Sequence, residues 1–541
     1  MSTTPSVEYG LLAPMLIIFG VAIAGVIVEA ALPRWARYGS QMVLSIGGLI
    51  AAFIAIVALA GTNQSAVLGS VSIDGPALFL QGVIVLISLL AMMLIGQRRI
   101  LPTAGLVREV AGRGRGVRPG GRAVDGFAPQ ASTIPGGADE RLADLAGLTQ
   151  TEVFPLAMFA IGGMLLFPAA GDLLVMFIAL EVLSLPLYML CALARHRRLM
   201  SQEAALKYFL LGAFSSAFFL FGIAMLYGYS GTVSLAGIGD TVAAGGGEKP
   251  LALIGAGLLS VGLLFKIGAI PFHSWVPDVY QGAPTAITAF MSSATKVAAF
   301  GALLRVFYVA LPGLHVDWRP MMWAVAILTM LIGSVLAVTQ TDVKRMLAYS
   351  SVSHAGFILT GVVALSRQGL SSTLFYLAAY SFSALAAFGV VGLVRSVGAD
   401  GTGDVSGDNS AEASDLARWA GLGRRHPLLG TVFALLLLAF AGIPLTSGFV
   451  AKFAVFQAAL TADALALVIV GVVSSGIAAF FYIRVIVLMF FAAEPDDPPT
   501  VVRPGILTMI AIGVGVVVTV VLGVAPQPLL DLADQAAQFL S

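Results

Sequence analysis

The sequence predicts an all-α polytopic membrane protein of about fourteen transmembrane helices, each of about 20 apolar residues. Three observations carry that reading. Of the 541 residues, 59% are hydrophobic and only 11% are charged, against about 25% charged in soluble domains. The mean hydropathy is +0.97. Cations cluster in alternate loops, mostly on one side of the predicted membrane.

The apolar stretches lie near 11–31, 40–60, 77–96, 153–170, 172–194, 206–228, 251–272, 284–311, 321–340, 343–365, 370–395, 428–460, 463–491 and 505–525. Glu8 and the lack of a basic lead-in predict that the first is a retained span rather than a cleaved signal. Arg34/Arg37, Arg98/Arg99, Arg195/Arg197/Arg198, Lys344/Arg345 and Arg424/Arg425 follow spans 1, 3, 5, 9 and 11. Opposite them stand only Lys249, Arg319 and Arg367. The positive-inside rule makes the Arg-rich side cytoplasmic, and an even span count then puts both termini outside. Residues 101–150 are rich in Gly, Arg and Pro and read as a hydrophilic cytoplasmic insert. Residues 397–415 read the same way, as a solvated loop.

Several function classes are excluded. Net charge is +1, which offers nucleic acid nothing. The single cysteine, Cys191, precludes a disulfide framework or a cysteine-ligated cluster within the chain. The five histidines lack ligand spacing, so no metal site is predicted.

An internal repeat is present. Asp172 opens span 5 and Asp342 opens span 10, 170 positions later; Ala269-Ile-Pro271 matches Gly442-Ile-Pro444 at an offset of 173. Near-equal offsets predict two five-helix units, spans 4–8 and 9–13. An odd helix number inverts the second unit in the membrane, a device of transporters, which also interrupt helices at their sites. The organisation that follows is a three-helix segment 1–100, the insert 101–150, a first repeat 151–311, a second repeat 312–491 containing the insert 397–415, and a last helix within 492–541. Pro271 and Pro444 predict discontinuous helices 7 and 12, because proline removes a donor and clashes with the preceding turn.

Four lysines and a glutamate inside these spans stand out: Glu181, Lys207, Lys266, Lys296 and Lys452. A charge in hydrocarbon costs several kcal/mol and marks an ion or proton path. One site per helix over several helices suits a relay better than a single pocket. Lys266 precedes the first break; a snorkelling lysine at a plain kink is the competing reading, outweighed by the matching break near Lys452. Glu181 stands mid-span, with Lys207 one helix on as its expected partner, although an interfacial anchor accounts for Lys207 equally well. Lys296 follows Ser292, Ser293 and Thr295, which could hold water for proton hops. His273 beside the first break is a further candidate. For His354, hydrogen-bonded packing is the favoured reading.

The run from Lys266 through Pro271-Phe-His273-Ser-Trp275-Val-Pro277-Asp278-Val-Tyr280-Gln-Gly282-Ala-Pro284-Thr285 resembles the signature of the antiporter-like subunits of respiratory complex I, the proton-translocating NADH–quinone oxidoreductase. Mrp-type cation/proton antiporter subunits share much of it. The Pro-Asp-Val-Tyr form is most similar to the N branch of that family. Thr341-Asp342-Val-Lys344-Arg345 through His354-Ala-Gly356 and Gly442-Ile-Pro444 match as well. The resemblance covers nearly the whole chain outside the two inserts. It implies a proton relay of Glu181, Lys207, Lys266, Lys296 and Lys452, with His273 after the seventh-helix break. It implies a bacterial inner-membrane location, with other membrane and peripheral subunits of complex I as partners. It implies no cofactor on this chain, FMN, iron–sulfur clusters and quinone lying in those partners. The competing expectations are an Mrp-type subunit exchanging sodium for protons and a scaffold that has lost its pump.

Overall fold

The structure is a computed structural model that describes residues 8–97, 127–128, 149–194, 198–395, 412–496 and 498–540. Most of both inserts, and the loop cations Arg98, Arg99, Arg195 and Arg197, lie outside the described residues.

The chain begins with α1 (Tyr9–Ala31) and α2 (Arg34–Ala58), then a small hairpin (Gln64–Ala66 against Val71–Ile73) that leads into α3 (Gly75–Gly96). The first repeat comprises α4 (Val153–Ala169), α5 (Leu173–Cys191), α6 (Arg198–Ser230), the short α7 (Leu235–Ala243), α8 (Lys249–Ile267), α9 (Trp275–Gly282) and α10 (Thr285–Ala310). The second comprises α11 (Pro312–Val338), α12 (Val343–Val363), α13 (Arg367–Val391), α14 (Pro427–Ala441), α15 (Ser447–Thr461) and α16 (Leu465–Phe491). The last span is α17 (Ile506–Val524), followed by α18 (Gln527–Ala536).

Twelve of these helices are long and apolar enough to cross a membrane. Helix α4 supplies a thirteenth crossing, and α14 with α15 together a fourteenth. Helices α7 and α18 went unforeseen because they are too short and too mixed to register as apolar stretches.

The helix starts are chemically specified. Asp74 accepts from Ala77 N (3.0 Å), Asp172 from Val175 N (2.7 Å) and Asp342 from Arg345 N (3.0 Å). Each caps donors that hydrocarbon would leave unsatisfied. Asp172 and Asp342 cap equivalent helices of the two repeats.

Enclosure is graded from the centre outward. The apolar windows of α10 and α13 are 100% buried and that of α12 is 94%, whereas those of α1 and α17 are 28%. The central three helices carry Lys296, the Ser350–His354 segment and a row of tyrosines. Helix α10 is π-helical at Met291–Thr295, directly before Lys296, and again at Val306–Ala310. Such wide turns are rare and cluster at functional sites.

Parts of both inserts are buried rather than solvated. Phe127–Ala128 is buried against Leu193 and Ala194. Ala413 and Ser414 are buried, and Ser414 O accepts from Val343 N at 2.7 Å. Loop composition hid this, because one or two well-placed residues suffice to anchor a polar segment.

On the side opposite the cation-rich loops, one ion pair is completely enclosed. Arg305 donates to both oxygens of Asp74 at 2.7 and 3.0 Å, with side-chain exposures of 1% and 0%. Arg305 also reaches Pro168 O (2.6 Å), and Asp74 also accepts from Leu540 N (3.0 Å). Removing one partner of a buried pair strands the other charge and costs about 3–5 kcal/mol, whereas an exposed pair contributes about 0–1 kcal/mol. Asp74→Ala is therefore expected to destabilise the detergent-purified protein severely. Arg367→Ala, which breaks the exposed Arg367–Asp534 pair, is expected to change little. Thermal unfolding of the two variants checks the contrast.

Candidate functional site

Two helices stop inside the bundle in the same way. Helix α8 ends at Gly268 (φ +79°), with Gly268 N and Ala269 N both returning to Leu264 O. Helix α14 ends at Gly442 (φ +85°), with Gly442 N and Ile443 N both returning to Leu438 O. Only glycine takes this left-handed cap without strain. The predicted discontinuities at helices 7 and 12 are therefore present and alike.

The carbonyls left at each break find different donors. At the first, the Trp275 indole donates to Phe265 O at 2.9 Å. At the second, Lys452 folds back from α15 and donates to Phe440 O and Ala441 O, each at 3.0 Å, and to Ser475 Oγ at 2.9 Å. An ammonium at a helix C-terminus meets the negative end of the helix dipole.

Lys266 and Lys296 are equally enclosed. Lys266 donates to Ser184 Oγ (2.7 Å) and Tyr208 OH (3.0 Å) and lies 5.0 Å from the Tyr208 ring centre. Tyr208 is itself fixed by stacking on Trp275. Lys296 donates to the Ser351 carbonyl and to Ser351 Oγ (2.6 Å), with the Tyr380 ring 5.3 Å away. Lys452 faces the Phe357 ring at 4.6 Å. Among the described residues none of the three forms an ion pair with a carboxylate. Hydroxyls, carbonyls and ring faces hold them instead.

The other three predicted residues are placed differently. Glu181 is half-buried on α5, in line with the exposed Ile178 and Leu185, and its buried Oε1 has no hydrogen-bond partner. Its field reaches Lys266. The expected Glu181–Lys207 pair is not formed. Lys207 instead bridges Glu203 (2.7 Å) and Asp278 (2.9 Å), with its side chain 43% exposed. Two carboxylates within reach hold it towards the helix-9 end. Asp278 also binds Arg345 at 2.6 Å. His273 sits half-buried in the first break near Tyr349, and no hydrogen bond joins it to the lysines.

His354 is enclosed and hydrogen-bonded, as the packing reading expects. It is 2% exposed, its Nδ1 pairs with Tyr376 OH at 2.8 Å, and Tyr482 OH lies 3.5 Å from Nε2. Tyr482 in turn hydrogen-bonds Ser350. Lys296 and Lys452 both act electrostatically on this imidazole. Helix α12 thus carries both Ser351, which holds Lys296, and Ser350 and His354, which meet Tyr482. The available signal was the density of Tyr, Ser and His in Tyr349–His354; the tyrosines that complete the group come from α13 and α16.

Comparison with known proteins fits this geometry. Residues 170–478 match the family model described as NADH:quinone oxidoreductase/Mrp antiporter, TM. The chain belongs to that family. It is 66% identical to NADH-quinone oxidoreductase subunit N of Rhodococcus opacus (strain B4), over 99% of this chain and 97% of the relative. It is 61% identical to the protein of the same name from Mycobacterium tuberculosis (strain ATCC 25618 / H37Rv), over 99% of each. A chain of respiratory complex I from Thermus thermophilus superposes with a TM-score of 0.73 at 29% identity, covering 96% of this chain and 99% of that one. A chain of the Mrp complex from Dietzia sp. DQ12-45-1b shares the fold, with a TM-score of 0.76 at 22% identity over 97% of each.

Within this family fold the second break is tight around its lysine. A Cβ on Gly442 would sit 3.0 Å from Lys452 Cδ, on top of the strain of its positive φ. Left-handed backbone costs an L-residue about 1–2 kcal/mol. Gly442→Ala is expected to lose at least that much stability. Gly257→Ala, whose Cβ meets nothing within 4 Å on helix α8, is expected to be neutral or stabilising. Thermal denaturation of both variants checks this.

Proposed function

We propose that this chain translocates protons across the bacterial inner membrane as the subunit N of an NADH–quinone oxidoreductase, through a relay of Glu181, Lys207, Lys266, Lys296 and Lys452. Redox energy is released in partner subunits, which carry the FMN, the iron–sulfur clusters and the quinone site; this chain carries no redox centre and couples through charge. The repeats 151–311 and 312–491 are its two halves, and the cation-rich side faces the cytoplasm with both termini outside. Curated relatives from 54% to 66% identity share the subunit N name, which favours this reading over an Mrp-type sodium/proton exchanger.

One observation carries the mechanism: three enclosed lysines are held by hydroxyls, carbonyls and rings rather than by carboxylates. A lysine locked to a carboxylate stays charged. One met only by dipoles can release its proton without stranding an anion, so its charge state responds to its neighbours. Glu181 supplies a mobile negative charge for Lys266, and His354 lies between Lys296 and Lys452. Each protonation step then shifts the balance at the next site.

Glu181→Gln is nearly isosteric but cannot titrate. Proton pumping per NADH is expected to fall markedly in an assembled complex; wild-type pumping would remove Glu181 from the relay.

Lys452→Arg keeps the charge but holds its proton too tightly to cycle, and Lys452→Met removes the charge. Both are expected to impair coupled turnover if Lys452 relays protons. If Lys452 only closes the α14 carbonyls, Arg restores activity and Met does not. Quinone reductase activity and proton uptake, measured on both variants, separate the two roles.

A further inference from the structure

Four segments far apart in sequence meet at the cation-rich end of the bundle: the end of α3, the start of α10, the chain after α13 and the chain before α17. A short antiparallel ladder joins the last two, with Val394 opposite Val501 and Arg395 opposite Thr500. Val502 N then donates to Leu393 O at 2.9 Å. Arg395 and Arg503 thereby enter the wall of a cavity of about 100 Å³, which Gln97, Thr285 and Glu412 also line.

The charges of the cavity favour an anion. Among the described residues in its wall, Glu412 is the one carboxylate, and its charge is already met. Lys344, 1% exposed, donates to Glu412 Oε2 at 3.0 Å, and Arg395 lies 3.8 Å from the other oxygen. Arg395 is buried and donates Nε to Gly392 O at 3.1 Å. Burial pulls its guanidinium below the usual value, and Glu412 opposes that. Arg503 is exposed and forms no ion pair among the described residues.

Two helix N-termini add to the arginines. Helix α10 begins at Thr285 and α17 at Ile506, neither with a side-chain cap, and the first turn of each lines the cavity. Unpaired amides at such ends carry partial positive charge and bind phosphate groups. Thr285 is 5% exposed; its hydroxyl, near enough to Glu412 to help hold that charge, closes no hydrogen bond of good geometry. A buried donor of this kind is costly unless something accepts from it.

The surface beside the cavity distinguishes a lipid from a free anion. Ile506, Met509, Ile510, Val517 and Val521 of α17 are 42–73% exposed and form a continuous apolar strip. A free phosphate gains nothing from that strip, whereas acyl chains pack along it. Basic pockets between transmembrane helices on the cytoplasmic side take anionic headgroups.

We propose that this cavity holds the phosphate headgroup of an anionic phospholipid, with Arg395 and Arg503 as its cationic ligands and α17 as the seat of its acyl chains. The Thr285 hydroxyl and the first-turn amides of α10 and α17 donate to the phosphate oxygens. The orientation given above places the lipid in the cytoplasmic leaflet. The lipid fastens α17 to α3, α10 and the end of α13 at this corner of the bundle.

The test uses the assembled complex in phosphatidylcholine nanodiscs doped with phosphatidylglycerol that bears a diazirine on its acyl chain. After illumination, mass spectrometry compares the label on α17 with that on α1, whose apolar windows are equally open. The α17-to-α1 ratio is expected to exceed that given by diazirine phosphatidylcholine, and unlabelled phosphatidylglycerol is expected to compete the label away. Arg503→Gln is expected to lower the ratio about fivefold, the equivalent of about 1 kcal/mol for one cation at an anionic lipid surface. Gly392→Leu fills the cavity, since a Cβ there meets only ordinary contacts, among them Thr285 Cγ2 at 3.5 Å, and is expected to lower the ratio too. Equal ratios for the two lipids, or a wild-type ratio in either variant, overturn the site. Displacement of the label by inorganic phosphate as readily as by phosphatidylglycerol assigns the cavity to a free anion and overturns the lipid. If Gly392→Leu fails to assemble, Arg503→Gln, at an exposed side chain, decides. Labelling needs no turnover, so its outcome stands apart from that of the proton relay.

Discussion

A helix that stops inside a membrane must find donors for the carbonyls it leaves behind, and much of this molecule follows from how that is done twice. Hydrocarbon offers no water to satisfy them. At the first break a tryptophan indole closes the end of α8. At the second, the donor is the ammonium of Lys452 itself. Equivalent breaks in two repeats have therefore been given different chemistry: one neutral and fixed, the other charged and capable of change. The difference follows from position, since Lys266 precedes its glycine cap and Lys452 follows its own.

The same economy governs Lys266, Lys296 and Lys452. In a water-poor interior a carboxylate partner would neutralise each of them and freeze it. The chain instead surrounds them with serine and tyrosine hydroxyls, backbone oxygens and ring faces, which lower the cost of burial without fixing the charge. Enclosed or half-enclosed ion pairs lie nearer the ends of the bundle: Asp74 with Arg305 at one end, and the Lys344–Glu412–Arg395 group at the other. Ion-paired charge lies towards the ends of the bundle, while Lys266, Lys296 and Lys452 in its middle meet hydroxyls, carbonyls and rings.

The enclosure of three lysines and the two helix breaks were legible in advance. Lys266, Lys296 and Lys452 declared themselves because a charge among apolar residues is costly wherever it lies on a helix. The breaks declared themselves through Pro271 and Pro444 at matching offsets. What could not be read was partnership. Lys207 pairs with Asp278 rather than Glu181, because helix rotation and the return of α9 towards α6 set that distance. His354 reads as one polar residue in a helix until α13 and α16 bring Tyr376 and Tyr482 to its two nitrogens. His273 drew attention through sequence proximity to Lys266 and is not joined to the axis. Glu412, in a segment whose composition suggested only a solvated loop, is a half-buried counter-ion.

The sequence by itself determined the number of crossings, the inverted repeat, the positions of the two breaks and which helices bear charge. These depend on local rules: the length of an apolar run, the geometry of proline and glycine, and the cost of charge in lipid. Tertiary structure alone decided which groups meet those charges, which helices form the enclosed centre and where polar space opens beside them. Those outcomes depend on distances between segments tens to hundreds of residues apart, and no local pattern encodes a distance.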